Sequence, residues 1–195
     1  MSIWKISRTT FQVSGTYILL GFLALSSLHL EATARPTPID WKASPSAENW
    51  KEFFKISAEQ KAQTWTNLQK EGLVFEAMSW EWKLAWVRSC TLSSTKDCSN
   101  IMQNGLFDKA LVVRAEAATR LGQRFTNTGH APAIRLLRTA YAVEQNSRAK
   151  EPLFVQYRIL QALNEIGGEG RIVGKELARG SESMNTYWSR IASAK

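Results

Sequence analysis

Two stretches of this chain carry the same apolar frame 42 residues apart. Val113, Ala117, Ala118 and Leu121 fall on Val155, Ile159, Leu160 and Leu163 when the sequence is shifted by that amount. Within each copy the apolar positions recur at helical spacing, so they form one face of a helix. A second helical pattern follows each copy. A period of about 40 residues with two helices per unit is the signature of a stacked helical repeat, in which one unit cannot bury its apolar face without its neighbours. No segment shows sustained two-residue alternation. The expected fold class is therefore all-α: antiparallel helix pairs with short turns, stacked as a short α-solenoid.

Local signals place the helices. Ser46 precedes a pattern in which Trp50, Phe53 and Phe54 share a face, and Ser57 with Gln60 makes a capping box for a helix that Gly72 ends. Leu73–Cys90 reads as one apolar helix and Ser99–Leu106 as a short helix or turn. Leu111–Arg124 is a helix, Thr126–Gly129 a turn, and His130–Val143 a helix with Pro132 in its first turn, where proline is tolerated. Leu153–Ile166 is stopped by Gly167 and Gly168, and short helices follow at Arg171–Ala178 and Ser181–Ala194. Six of the eight tryptophans lie between Trp41 and Trp86, enough aromatic surface to build a real core. Trp80 and Trp82 are two residues apart and cannot both face the same way. Either one is exposed or both are covered by the helix over residues 57–69; cover is the expectation.

The first residues read differently. Lys5 and Arg8 precede an apolar stretch over 17–30, and Ala32-Thr33-Ala34 follows as a cleavage pattern. That order is a secretory signal peptide over 1–34. The stretch falls short of the roughly 20 residues a spanning helix needs, although an uncleaved anchor is the other reading. Residues 35–45 hold three of the five prolines and read as an extended linker, leaving 46–195 as a single helical domain, with 46–98 as an aromatic cap and 99–195 as the repeats. Export to a periplasmic or secreted location makes a disulfide between Cys90 and Cys98 chemically reasonable, the alternative being two free thiols. Closing that nine-residue loop would stabilise the fold by roughly 2.6 kcal/mol in a chain-entropy account.

One resemblance is specific. The stretch FDKALVVRAEAATRLGQRFTNTGHAPAIRLL resembles a HEAT-type repeat of the short bacterial kind. It carries Asp108, Val113-Arg114, Ala117-Ala118, Leu121-Gly122 and then Ile134 and Leu137 in the second helix. The unit at Leu153–Arg179 keeps only the apolar frame, with Gln156 in place of the arginine and Lys150 in place of the aspartate. Trp86-Val87-Arg88 looks like an earlier unit in which Trp82 replaces the aspartate. The resemblance covers about residues 99–179. It implies that Asp108 and Arg114 are structural, tying an inter-repeat turn to the next helix, and that the small residues let neighbouring helices approach closely.

No catalytic constellation emerges. His130 is the one histidine beyond residue 34, and no Ser–His–Asp or Cys–His spacing accompanies it. Glu71/Glu76 and Glu165/Glu169 lack the surroundings of a glycosidase pair. Gly167–Gly170 has no Lys-Ser/Thr after it, so it is a helix stop and not a phosphate loop. No metal-ligand cluster is present, and neither a cofactor nor an enzymatic activity is expected. An enzyme with acids in a deep cleft is the reading this would have to yield to.

Charge points to binding. Without residues 1–34 the chain keeps 23 basic and 16 acidic residues. Arg171, Lys175 and Arg179 recur every four residues on one helix, and Arg135 and Arg138 are three apart on another. In a solenoid the second helices line the concave side, so these five cations are expected to share one inner surface facing an acidic protein. The other readings are a solvated face with no ligand, or a basic module docking on membrane headgroups or an anionic cell-envelope polymer. Nucleic acid is not an expected partner of an exported chain, and the sequence leaves oligomeric state open.

Overall fold

The structure, a computed structural model, describes residues 39–90, 96–143, 146 and 153–194. The expected signal segment, residues 35–38 of the expected linker, Lys150 and the interior of the cysteine loop lie outside the described residues. All described residues belong to one compact unit, Pro38–Lys195.

Among the described residues the regular structure is entirely helical. In chain order it comprises α1 (Ala47–Lys55), α2 (Ala58–Lys70), a 3-10 turn at Phe75–Ala77, α3 (Trp80–Ser89), α4 (Lys96–Leu106), α5 (Leu111–Arg124), α6 (Ala131–Tyr141), α7 (Leu153–Ile166), α8 (Glu169–Ala178) and α9 (Glu182–Ser193). The Ser46 side chain accepts from Asn49 N, and Ser57 with Gln60 completes the capping box. Gly72 takes φ of +77°, the left-handed geometry that ends α2.

The Leu73–Cys90 segment is not one helix. The chain leaves the 3-10 turn extended at Met78, and the Ser79 side chain then accepts from Trp82 N to start α3. From Trp82 to Val87 every residue is buried. A helix covered on all sides shows little amphipathic contrast, so its sequence pattern merged with the apolar residues before it. Trp82 is fully buried, but not under α2. Its ring packs on Trp41, Trp50 and Phe53, while its indole N–H donates to Asp40 O at 3.2 Å. Trp80 is 48% exposed, so the expected cover of both rings does not hold. Trp41 lies in the segment read as a linker, yet it sits within the aromatic cluster and its carbonyl accepts from Ser79 N at 3.0 Å.

The neighbours alternate along the chain. α3 packs on α5, α5 on α7 and α7 on α9, while α4, α6 and α8 contact one another in sequence. All eight residues of the 42-residue frame are buried, from Val113 and Leu121 in α5 to Val155 and Leu163 in α7. One apolar core runs from Phe53 through α5 to Val173. α5 and α7 are in close backbone contact where a glycine of one faces an alanine of the other. A Cβ on Gly122 would stand 2.7 Å from Ala162 Cα. α1 and α2 are held further off, with Trp65 and Phe53 rings 5.0 Å from that of Trp86. The Cys90–Cys98 disulfide joins the end of α3 to the first turn of α4.

Gly122 decides between two opposed effects. Replacing glycine by alanine inside a helix ordinarily stabilises by about 1 kcal/mol. Here the added methyl meets backbone that cannot step aside, and overpacking costs roughly 1–3 kcal/mol. Gly122→Ala is expected to lower the urea midpoint at unchanged slope; a raised midpoint would show that α5 and α7 are not in this contact.

Candidate functional site

The Asp108–Arg114 unit is a structural tie. Asp108 closes the α4–α5 turn: one carboxylate oxygen accepts from Ala110 N at 2.8 Å. The other accepts from Lys83 Nζ of α3, also at 2.8 Å and with both side chains buried. Arg114 reaches back from the first turn of α5. Its Nη1 donates to the carbonyls of Asp108 and Lys109, and its Nε donates to Asn146 Oδ1 at 2.7 Å. Asn146 in turn donates to Ala140 O in the last turn of α6. These bonds engage carbonyls of the α4–α5 turn and of the last turn of α6. The tie therefore joins α3, the α4–α5 turn, α5 and the end of α6. Gln156, which occupies the arginine's place in the 42-residue frame, performs a reduced version by donating to Tyr141 O at 3.2 Å.

Sequence reasoning missed Lys83 and Asn146. Lys83 lies in a run of apolar residues on α3, and a lone lysine there was a signal: a charge is rarely buried without a partner. Asn146 sits in a polar connection with no periodicity to mark it.

His130 is not a free base. Its Nδ1 accepts from Ala133 N at 3.2 Å, which caps α6, and its ring stacks on Phe125 with centroids 3.8 Å apart. Of the paired acids, Glu71, Glu76 and Glu169 are exposed, while Glu165 accepts from Gln161 Nε2. Among the described residues no group of three His, Cys, Asp or Glu side chains could hold a metal ion. No helix among them is long and apolar enough to cross a membrane.

Arg135 and Arg138 on α6, and Arg171, Lys175 and Arg179 on α8, are all exposed. α6 and α8 are packed against each other, and Tyr141 Oη donates to Leu177 O across them at 3.4 Å. Burial, aided by nearby Tyr157, holds the Tyr141 phenol above its ordinary value. The five cations are not equivalent. Arg138 Nη2 lies 3.1 Å from Glu176 Oε1 of α8, so an acid stands among them. At about 100° per helical residue, Ile172 and Arg179 lie within roughly 60° of Glu176, whereas Lys175 and Arg171 lie roughly 100–140° from it. Among the described residues no carboxylate comes within 4.0 Å of the charged nitrogens of Arg135, Arg171, Lys175 or Arg179. Ile172, 70% exposed, is the one large apolar side chain of α8 that stands out among them.

No protein-family model, curated protein or solved structure matches this chain.

The buried Lys83–Asp108 pair is expected to be strongly coupled. Lys83→Met leaves a carboxylate buried without its partner, which costs roughly 3–5 kcal/mol. Adding Asp108→Asn should recover part of that loss, giving non-additive free energies in a double-mutant denaturation cycle. Additive losses would mean that the ion pair is not formed.

The Tyr141 phenol ties stability to alkaline pH. Its folded value is raised, so its contribution is complete below the unfolded value of about 10 and is lost as pH rises through the folded value. Tyr187 is raised too, chiefly by burial. Chemical denaturation from pH 8 to 11 should show stability falling above about pH 10. Tyr141→Phe should make the fall shallower without abolishing it; an unchanged slope would contradict the assignment.

Proposed function

We propose that this chain is an exported HEAT-like helical-repeat scaffold that binds an acidic protein surface through α6 and α8. The observation that carries the reading is the set of exposed cations on those two neighbouring helices, four of which lack an acid within 4.0 Å among the described residues. Residues 35–195 carry 23 basic and 16 acidic side chains, a net charge of +7 that favours encounter with anionic partners.

Three features support the repeat arrangement. The 42-residue frame is buried in both copies. Arg114 bonds to Asn146 ahead of α7 while Gly122 meets Ala162 near the far end of both helices, as in a stack whose first helices run in the same sense. The turns also stack, since Asn127 N and Gly129 N donate to the carbonyls of Glu165 and Ile166 at the end of α7. In such a stack α4, α6 and α8 form the second row, and a rigid curved surface would present the cations without reorganisation. The scaffold performs no chemistry of its own. Repeat scaffolds serve many partners, so the surface and not the fold carries the functional reading.

The disulfide between Cys90 and Cys98 fits an oxidising compartment, in keeping with a signal peptide over residues 1–34.

The test is affinity capture from the cell envelope with the disulfide-intact protein. Arg135→Glu/Arg171→Glu/Arg179→Glu is expected to lose the captured protein while keeping the wild-type melting temperature. Capture should weaken but persist in raised salt, whereas simple electrostatic docking on headgroups or an anionic polymer would collapse as the Debye length falls below about 10 Å. Identical recoveries from wild type and the triple variant would end the basic-surface reading.

A further inference from the structure

α4 and α6 touch only lightly. A groove of about 210 Å³ opens there, with apolar walls formed by Met102, Leu121, Phe125, Pro132 and Leu136. It is open to solvent along Ser99 and Gln103 of α4 and Pro132 of α6, all exposed. No carboxylate lines it. Its volume lies below the roughly 300 Å³ at which small-molecule pockets begin, which suits one bulky side chain better than a cofactor.

Two cations adjoin residues of the groove wall. On α6, Arg135 is one residue from Leu136 and three from Pro132. At about 100° per residue it stands roughly 100° from Leu136 and roughly 60° from Pro132, between the groove edge and the Arg138 edge of the helix. On α5 the Arg124 guanidinium lies over the ring of Phe125, a wall residue, at 5.4 Å. Arg124 Nη1 is buried and has no hydrogen-bond partner among the described residues. Its Nε and Nη2, which have no hydrogen-bond partner among the described residues either, are not buried and can meet an acceptor. The wall beside it is already rigid, because His130 stacks on Phe125 while its Nδ1 is held by Ala133 N. A preformed wall reduces the ordering cost of binding.

We propose that this groove seats the apolar anchor residue of an acidic peptide segment, with carboxylates on either side of the anchor meeting Arg124 and Arg135. The inference rests on the basic-surface reading and names the chemistry of its partner: one large aliphatic or aromatic side chain between acidic residues. Such a buried anchor with a charged surround is the arrangement that concentrates binding energy at interfaces.

The experiment is a random-peptide phage selection against the full, disulfide-intact chain, with affinities of the selected peptides measured by fluorescence anisotropy. Selected peptides should carry Asp or Glu flanking one Leu, Ile, Met, Phe or Trp. Changing that residue to Ala in the peptide should cost about tenfold or more in Kd. Ser99→Phe and, independently, Gln103→Trp fill the groove from exposed positions and should give the same loss while the acidic preference survives. Acidic peptides without an apolar position, or groove-filling variants that bind like wild type, would overturn the anchor groove and leave the basic surface standing. Selections with no acidic preference would overturn both.

Discussion

The close approach of α5 and α7 is the constraint on which the remaining architecture depends. Gly122 lets α5 come within reach of the Ala162 backbone, and the buried faces of both helices then close over Val113, Leu121, Val155 and Leu163. With these two helices side by side, α4 and α6 are left to pack across their flanks and α8 to follow α6. At the amino-terminal end the same problem has a different solution. There the spacers are tryptophan and phenylalanine rings, so α1 and α2 stand further from α3 and the aromatic cluster fills the gap. At the carboxy-terminal end Gly174 lies under the Trp188 ring, and α9 closes the row with one large side chain.

Polar side chains hold what apolar packing only brings together. Apolar burial is non-directional, so it does not by itself fix where each inter-helix turn lies. Asp108, Arg114 and Asn146 do so by meeting backbone groups of the α4–α5 turn, the start of α5 and the end of α6, while Lys83 of α3 holds the Asp108 carboxylate. The Lys83–Asp108 pair is committed to the fold, with one carboxylate oxygen on the lysine and the other on the Ala110 amide.

Much of the fold was legible because its signals are local. The capping box at Ser57, the Pro132 start of α6 and the stop at Gly167 and Gly168 each work within one turn of helix. The frame shared by α5 and α7 was legible because amphipathic period survives in one-sided burial. Where burial is all-round, period vanishes, and the α3 start at Ser79 was lost with it. The glycines also divide in a way composition hides. Gly72 and Gly167 turn the chain, while Gly122 and Gly174 sit inside helices to make room for a neighbour. The site was only half legible. Helical spacing gave the exposure of Arg135, Arg171, Lys175 and Arg179. The Arg138–Glu176 contact and the α4–α6 groove depend on residues 38 and more than 30 positions apart in sequence, and no local pattern encodes them.

The most direct measurement is a methyl-resolved NOESY spectrum of the folded protein at the α5–α7 contact. A cross-peak between the Gly122 α-protons and the Ala162 methyl group, accompanied by amide protection at Asn127 and Gly129, is the predicted result. Its absence, with Ala162 instead reporting to a distant helix, would contradict the α5–α7 contact on which the proposed stack rests.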